Sequence, residues 1–316
     1  MIREFLLAVI CGGSDPVCHY LIGYIAHALQ RPWEKPGTMI AMVGGEGIGK
    51  GTLARLLRRI WSATFLHVHS IKPITGEFNE SLERTFWVFL DEALFAGDRG
   101  GAEALKALIT EPFIHINPKN QPARQIASYH RFIAATNAEH FKHIDPDNRR
   151  DLMLRVSEHR KEEIPYWDRV FAAIDGSEAE AFAFDLLRMD LSGFNVRNRP
   201  KTKELTEQKL QSLPPFPRWW FDCLSRGNIS DSGTDWPEFI STNAINYNFK
   251  EATAGIRAYK QVTDRDIKSN VRKVCPSAKD DQRNENNFRR RGFKLPILAI
   301  ARQEFEKFIG DTLEWE

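Results

Sequence analysis

Cysteine is scarce and scattered: Cys11, Cys18, Cys223 and Cys275 make no C-x-x-C pair and have no histidine partner at zinc spacing. That excludes a disulfide scaffold and a small zinc-held module, and the thiols read as reduced, mostly buried groups of a cytoplasmic protein. Apolar runs of membrane-spanning length are missing, so the chain reads as soluble with no membrane partner. The short run Phe5 to Ile10 lacks a small-residue cleavage site ahead of Ser14-Asp15-Pro16, which leaves a first domain helix rather than a signal peptide. Excess charge is small, net +2, so any affinity for nucleic acid must come from local clusters.

What is present is 316 residues, enough for about two domains and at least one full core. The apolar run Thr38 to Val43 ends in Gly44-Gly45-Glu46-Gly47-Ile48-Gly49-Lys50-Gly51-Thr52 and passes into a helical pattern, Leu53 to Ile60. Strand, glycine-rich turn, lysine and helix make a phosphate-binding loop: amides turn inward around a polyphosphate, the helix dipole points at it, and Lys50 reaches the β- and γ-phosphates. Gly51 stands where a Ser or Thr normally follows the lysine, so the candidate metal hydroxyl comes one place later, at Thr52. The implied cofactors are ATP and Mg²⁺.

Ahead of the loop, residues 2–11 and 17–30 carry helical spacing, with Ser14-Asp15-Pro16 as the N-cap of the second helix. After it, Phe65 to His69 reads as a strand. His67 and His69 alternate along it, either as its polar face or as two ligands in need of a third. Thr85 to Leu90 is a continuous apolar run, as in a strand buried on both faces of a parallel sheet, and it ends in Asp91-Glu92. This Walker B pattern gives Asp91 the Mg²⁺ and Glu92 the attacking water.

Residues 112–130 read as a hairpin whose Pro/Asn-rich tip carries Lys119 and Asn120, with Arg124 beyond. A tip lysine is surface or a contact, and its position alone does not decide which. Arg131 to Asn137 is another buried strand, with Asn137 placed to bond a γ-phosphate or the attacking water. Arg149 and Arg150 precede a last strand, Leu152 to Ser157; they are surface charges or phosphate ligands reaching across a subunit interface.

This ordered set resembles the superfamily 3 helicases, in particular the ATPase part of phage- and virus-type primase-helicases, over roughly residues 15 to 215. The resemblance implies an AAA+-like parallel sheet with the phosphate-loop strand near its centre. It implies a ring, taken as a hexamer, in which Arg149 or, by position, Arg150 enters the neighbouring site. It also implies a hairpin gripping single-stranded DNA through Lys119, with Asn120 and Arg124 as lesser contacts. The family's primase module is not in the chain, which leaves a stand-alone motor or one part of a longer primase-helicase working with a primase or polymerase module.

Beyond the motor, Glu178 to Met189 has a helical pattern, the basic stretch Asn195 to Lys209 leads into another, and Ser212 to Pro217 looks like a domain boundary. The expected division is a helical preface over 1–36, a P-loop ATPase domain over 37–213 and a smaller basic domain over 214–316. Arg218-Trp219-Trp220-Phe221 reads as core. A helix over Thr263 to Val274, a polar turn, Arg289 to Leu295 and a last helix near Ile297 to Ile309 suit a winged helix. Its wing would carry Arg289, Arg290 and Arg291 along single-stranded or duplex DNA, or those arginines form a solvated surface. The expected activity is ATP-dependent DNA unwinding in phage or mobile-element replication. The rivals are an ATPase loader or initiator, a nucleotide kinase, for which Gly49-Lys50-Gly51-Thr52 also fits, and a non-hydrolysing DNA-binding scaffold.

Overall fold

The computed structural model describes residues 1–92, 99–138, 143–230, 235–254, 263–285 and 288–315. Two compact units form, one from 1–143 and 148–208, the other from 144–147 and 209–316.

In the first unit, α1 (Ile2–Phe5) runs into a π-helical turn, Leu6–Ile10, where the spacing predicts one continuous helix. The Ser157 amide, just past the last strand of the sheet, donates to the Val9 carbonyl and ties this turn to the sheet edge at 2.9 Å. Helix α2 (Asp15–Gln30) follows with Pro16 in its first turn. Ser14 occupies its N-cap position, yet its side chain makes no capping bond.

The sheet contains β1 (Met39–Val43), β2 (Phe65–Val68), β3 (Trp87–Asp91), β6 (Arg131–Thr136) and β7 (Asp151–Arg155), in the order β2-β3-β6-β1-β7. All four pairings are parallel. Parallel strands covered on both faces must be apolar throughout, which is why β1 and the apolar run of β3 read as uninterrupted hydrophobic stretches. Each fully buried side chain such as Phe89 or Ile40 is worth roughly 1.5–3 kcal/mol of transfer free energy. The five-stranded parallel sheet is consistent with a P-loop-like fold, with β1 lying inside it, flanked by β6 and β7.

Helix α3 (Lys50–Ile60) leaves the β1 loop, and the short α4 (Lys72–Thr75) follows β2. Helix α5 (Arg99–Thr110) lies between β3 and the hairpin of β4 (Phe113–Ile116) and β5 (Arg124–Ala127). After β7 come α6 (Ile164–Asp175), α7 (Ser177–Arg188) and α8 (Lys203–Gln211), the last reaching into the stretch that reads as a polar lead-in. Neither α5 nor α6 stands out in the sequence. α6 begins Ile164-Pro165 and buries only Tyr166, Val170 and Ile174, one residue per turn.

The second unit places α9 (Pro215–Arg226), β8 (Phe239–Ser241), α10 (Thr242–Thr253) and α11 (Asp264–Val274) ahead of β9 (Lys279–Glu285), β10 (Phe288–Lys294) and α12 (Leu298–Ile309). The strands pair antiparallel in the order β8-β10-β9. The stretch expected as a polar turn therefore contains a strand, β9. Its seven polar residues pair along the whole of β10, so pairing rather than apolar pattern fixes it. Trp219 and Trp220 are buried in this unit's core with Phe216 and Phe249. Thr263 caps α11 in a reciprocal capping box with Asp266. All four cysteines are free and buried. Among the described residues no helix is long and apolar enough to cross a membrane.

Candidate functional site

Parallel sheets bind ligands at the carboxyl ends of their strands, and three neighbouring ends meet here. β1 gives the glycine-rich loop, β3 ends at Asp91 and is followed by Glu92, and β6 is followed by Asn137. They border a cavity of about 520 Å³ lined by Glu46 to Thr52, Arg55, Asp91, Glu92, Asn137, Trp167 and Phe171. That size suits a nucleotide.

The loop's glycines are required by its shape. Gly49 has φ +103°, and a Cβ there would stand 2.5 Å from the Trp167 ring. Gly44 has φ +149°, and a Cβ would meet Ile48 at 2.6 Å. The Gly45 amide donates to Glu158 Oε1 at 3.3 Å, so a carboxylate oxygen already uses one loop donor for which a phosphate oxygen would compete.

Lys50 opens α3 and turns back over the loop. Its ammonium donates to the Gly44 and Gly45 carbonyls and, at 2.6 Å, to Asn137 Oδ1. Burial lowers its pKa, against the opposing pull of Glu92, Asp91, Glu46 and Glu158. Asn137 also donates through Nδ2 to Glu46 Oε1, at 3.4 Å. One amide thus spans the lysine and the loop.

Glu92 adopts φ +52°, rare for a residue with a side chain. Its amide donates to the Ala135 carbonyl, and its carboxylate accepts from the Asn137 amide at 2.6 Å and from Thr136 Oγ1 at 3.0 Å. Such over-determined, strained backbone gathers at functional sites. Thr52 is buried at the cavity wall, with its amide donating to the Gly49 carbonyl. Gly51 is exposed beside it. The Asp91 carboxylate and the Thr52 hydroxyl are hard oxygen donors of the kind Mg²⁺ takes.

Several lining residues escape a reading by motif. Trp167 and Phe171 of α6 form an aromatic wall, with ring centroids 6.2 Å apart. Trp167 is fixed by its Nε1 donating to the Arg160 carbonyl at 2.9 Å. The Arg55 guanidinium lies 4.9 Å from the Phe171 ring centre and pairs with Asp175. The aromatic spacing 166, 167, 171 was the available signal, and without knowing that α6 packs beside α3 it points nowhere.

Other candidates lie elsewhere. Arg149 and Arg150 precede β7, whose first residue, Asp151, aligns with Met39 at the start of β1; they therefore stand at the sheet edge opposite the loop. The Arg150 carbonyl accepts from the Met39 amide. Lys119 and Asn120 are exposed at the hairpin tip, with Asn120 at φ +61°. The hairpin is held by Asn79, which donates to the His115 carbonyl and accepts from the Asn117 amide, and by the Lys119 amide on Glu80. Arg124 has its guanidinium engaged by both oxygens of Glu83. Arg289, Arg290 and Arg291 are exposed on β10, where strand alternation divides them between its two faces; Arg289 donates to Gln282 at 2.7 Å.

The family described as "Family of unknown function (DUF5906)" matches residues 42–150, the span from the loop strand to Arg150. No curated protein matches the chain. Among solved structures, the apo structure of the NrS-1 C-terminal region (305–718) is similar with a TM-score of 0.73 and 19% identity, covering 93% of this chain and 75% of that one. An A-form apo structure of the NrS-1 C-terminal region gives 0.73 and 18% over the same shares. At this identity the likeness is one of fold, and it extends over nearly the whole chain.

Proposed function

We infer that the chain is an ATP-dependent DNA helicase or translocase of phage or mobile-element replication, working as a ring. The observation that carries this reading is the meeting of Lys50, Asp91, Glu92 and Asn137 around one loop-bordered cavity. The loop amides and Lys50 would hold the triphosphate, with Asp91 and Thr52 as the residues for Mg²⁺. Bound there, the ion supplies charge neutralisation at the phosphates. Glu92 would orient and polarise water, and Asn137 would connect that carboxylate to the lysine. The Asp91-Glu92 pair with Asn137 beside it is the set a hydrolytic motor needs, which favours hydrolysis over the kinase reading.

Arg149 and Arg150, at the opposite sheet edge from their own loop, would act on a neighbour's site, as the superfamily 3 order implies. The AAA+-like reading rests on that order and on the strand sequence β2-β3-β6-β1-β7. Lys119, presented on a braced hairpin, would contact single-stranded DNA. In the second unit, the run of helix, strand, two helices, two paired strands and a final helix supports a winged-helix reading. The exposed arginines of β10 would follow a phosphate backbone there. That basic strand also favours a second reading, a loader or initiator gripping duplex DNA without unwinding it.

Displacement of a labelled strand from a forked duplex separates the two. ATP-dependent release by the parent protein, absent in Lys50→Ala, supports the helicase. ATP turnover with no displacement on forks of either polarity moves the assignment to the loader.

A further inference from the structure

A second cluster of ligating side chains lies at the edge of the sheet. β2 pairs in parallel with β3, with His67 beside Phe89, and carrying that register two residues further brings His69 level with Asp91. His67 Nε2 lies 3.0 Å from Asp91 Oδ2, and His69 Nδ1 lies 3.7 Å from the same oxygen. One ligand atom from each of the three residues falls within 4.8 Å of the others. Bond lengths near 2.0–2.1 Å at tetrahedral angles put ligand atoms about 3.3 Å apart, inside the range seen here. No other hydrogen bond or ion pair involves the His67 or His69 ring among the described residues.

We propose that His67, His69 and Asp91 form a binding site for a divalent transition ion of the zinc class. Two imidazoles and one carboxylate are the wrong set for Mg²⁺ or Ca²⁺, which prefer all-oxygen shells, and a suitable one for Zn²⁺ and its first-row neighbours. Three protein ligands leave a fourth position for water or substrate, the pattern of an open site rather than a closed structural one. The surroundings fit. The His67 ring stands edge-on to Phe89 at 5.0 Å, an apolar wall that limits its rotation, while His69 is largely exposed and gives the ion access. The ring centroids lie 4.6 Å apart, close enough for both imidazoles to reach one ion.

The three side chains stand together whether or not nucleotide binds, but the site shares Asp91 with the proposed nucleotide site. Asp91 is also the carboxylate proposed for the nucleotide's Mg²⁺, so an ion held by the histidines draws Asp91 toward β2 and competes for it.

Titration calorimetry with Zn²⁺ on the full chain, without nucleotide, tests the site apart from any ATPase. The parent protein is expected to bind about one Zn²⁺ per chain. His67→Ala and His69→Ala, each checked for parent-like melting without metal, are expected to bind at least about tenfold more weakly, the low end of what even loss of a ligand's supporting partner costs. Absence of saturable binding by the parent, or binding unmoved in either variant, overturns the proposal.

Discussion

The Lys50 ammonium stands 2.6 Å from Asn137 Oδ1, joining the first residue of α3 to the residue that follows β6. The same Asn137 gives its backbone amide to Glu92 Oε1. Three positions separated by long stretches of chain are therefore one hydrogen-bonded unit, and the asparagine is its hinge.

Substitutions in that unit should separate binding from turnover. Glu92→Gln keeps the shape but loses the charge, so nucleotide affinity is expected to change little while hydrolysis falls on the order of 10²–10⁴-fold. Asn137→Ala frees Lys50 from its side-chain acceptor and should lower hydrolysis by about tenfold or more. Fluorescent-nucleotide binding beside steady-state phosphate release measures both.

The aromatic wall makes a different prediction. Trp167→Ala removes one face of the cavity while leaving the loop residues themselves unchanged, and weaker nucleotide binding, by about tenfold, is expected with kcat largely kept. Gly49→Ala instead forces a Cβ to within 2.5 Å of Trp167 at φ +103° and should abolish binding. The part of the nucleotide-dependent change in tryptophan fluorescence that is lost in Trp167→Phe, one of eight tryptophans, reports on the wall.

How much of this was legible follows from what each element owes to local pattern. β1, β3 and β6 were readable because strands covered on both faces must be apolar, and the loop because its glycines and lysine have a fixed spacing. Trp167 and Phe171 were not, since their role depends on α6 packing near α3, a contact between distant segments. Nor was the third partner of His67 and His69: Asp91 reaches them through the register of β2 on β3, which no spacing in the sequence encodes. β9 was hidden for a related reason, as a strand without apolar residues is defined only by its partner.

Arg149 and Arg150 lie at the sheet edge away from their own chain's loop. In a ring they would complete a neighbour's site, so Arg150→Ala is expected to bind nucleotide yet turn over on the order of 10³-fold more slowly. Mixing it with equally inactive Lys50→Ala should restore part of the activity, because some interfaces then pair an intact loop with an intact arginine. No recovery on mixing, with assembly confirmed by sedimentation, would place the arginines outside the chemistry.

Acid stability follows from His130. The ring is buried: Nε2 donates to the Leu82 carbonyl at 2.9 Å, and Nδ1 lies 2.9 Å from the Ser128 hydroxyl. Burial, with Lys35 nearby, holds its pKa below the ordinary 6.5. Above 6.5 the group is neutral in both folded and unfolded chains. As the pH falls below that, the unfolded chain takes up a proton the folded one resists, so stability is lost down to the depressed folded value and is flat beneath it. The melting temperature of the parent should therefore fall more steeply from about pH 7 to about pH 5 than that of His130→Gln.

Steady-state ATP hydrolysis, with and without single-stranded DNA, tests the central claim most directly. Turnover is expected to rise with DNA in the parent, to vanish in Lys50→Ala, and to persist in Lys119→Ala without the rise. Turnover indifferent to DNA in the parent protein, or stimulation untouched by Lys119→Ala, would contradict a motor whose hairpin grips the strand.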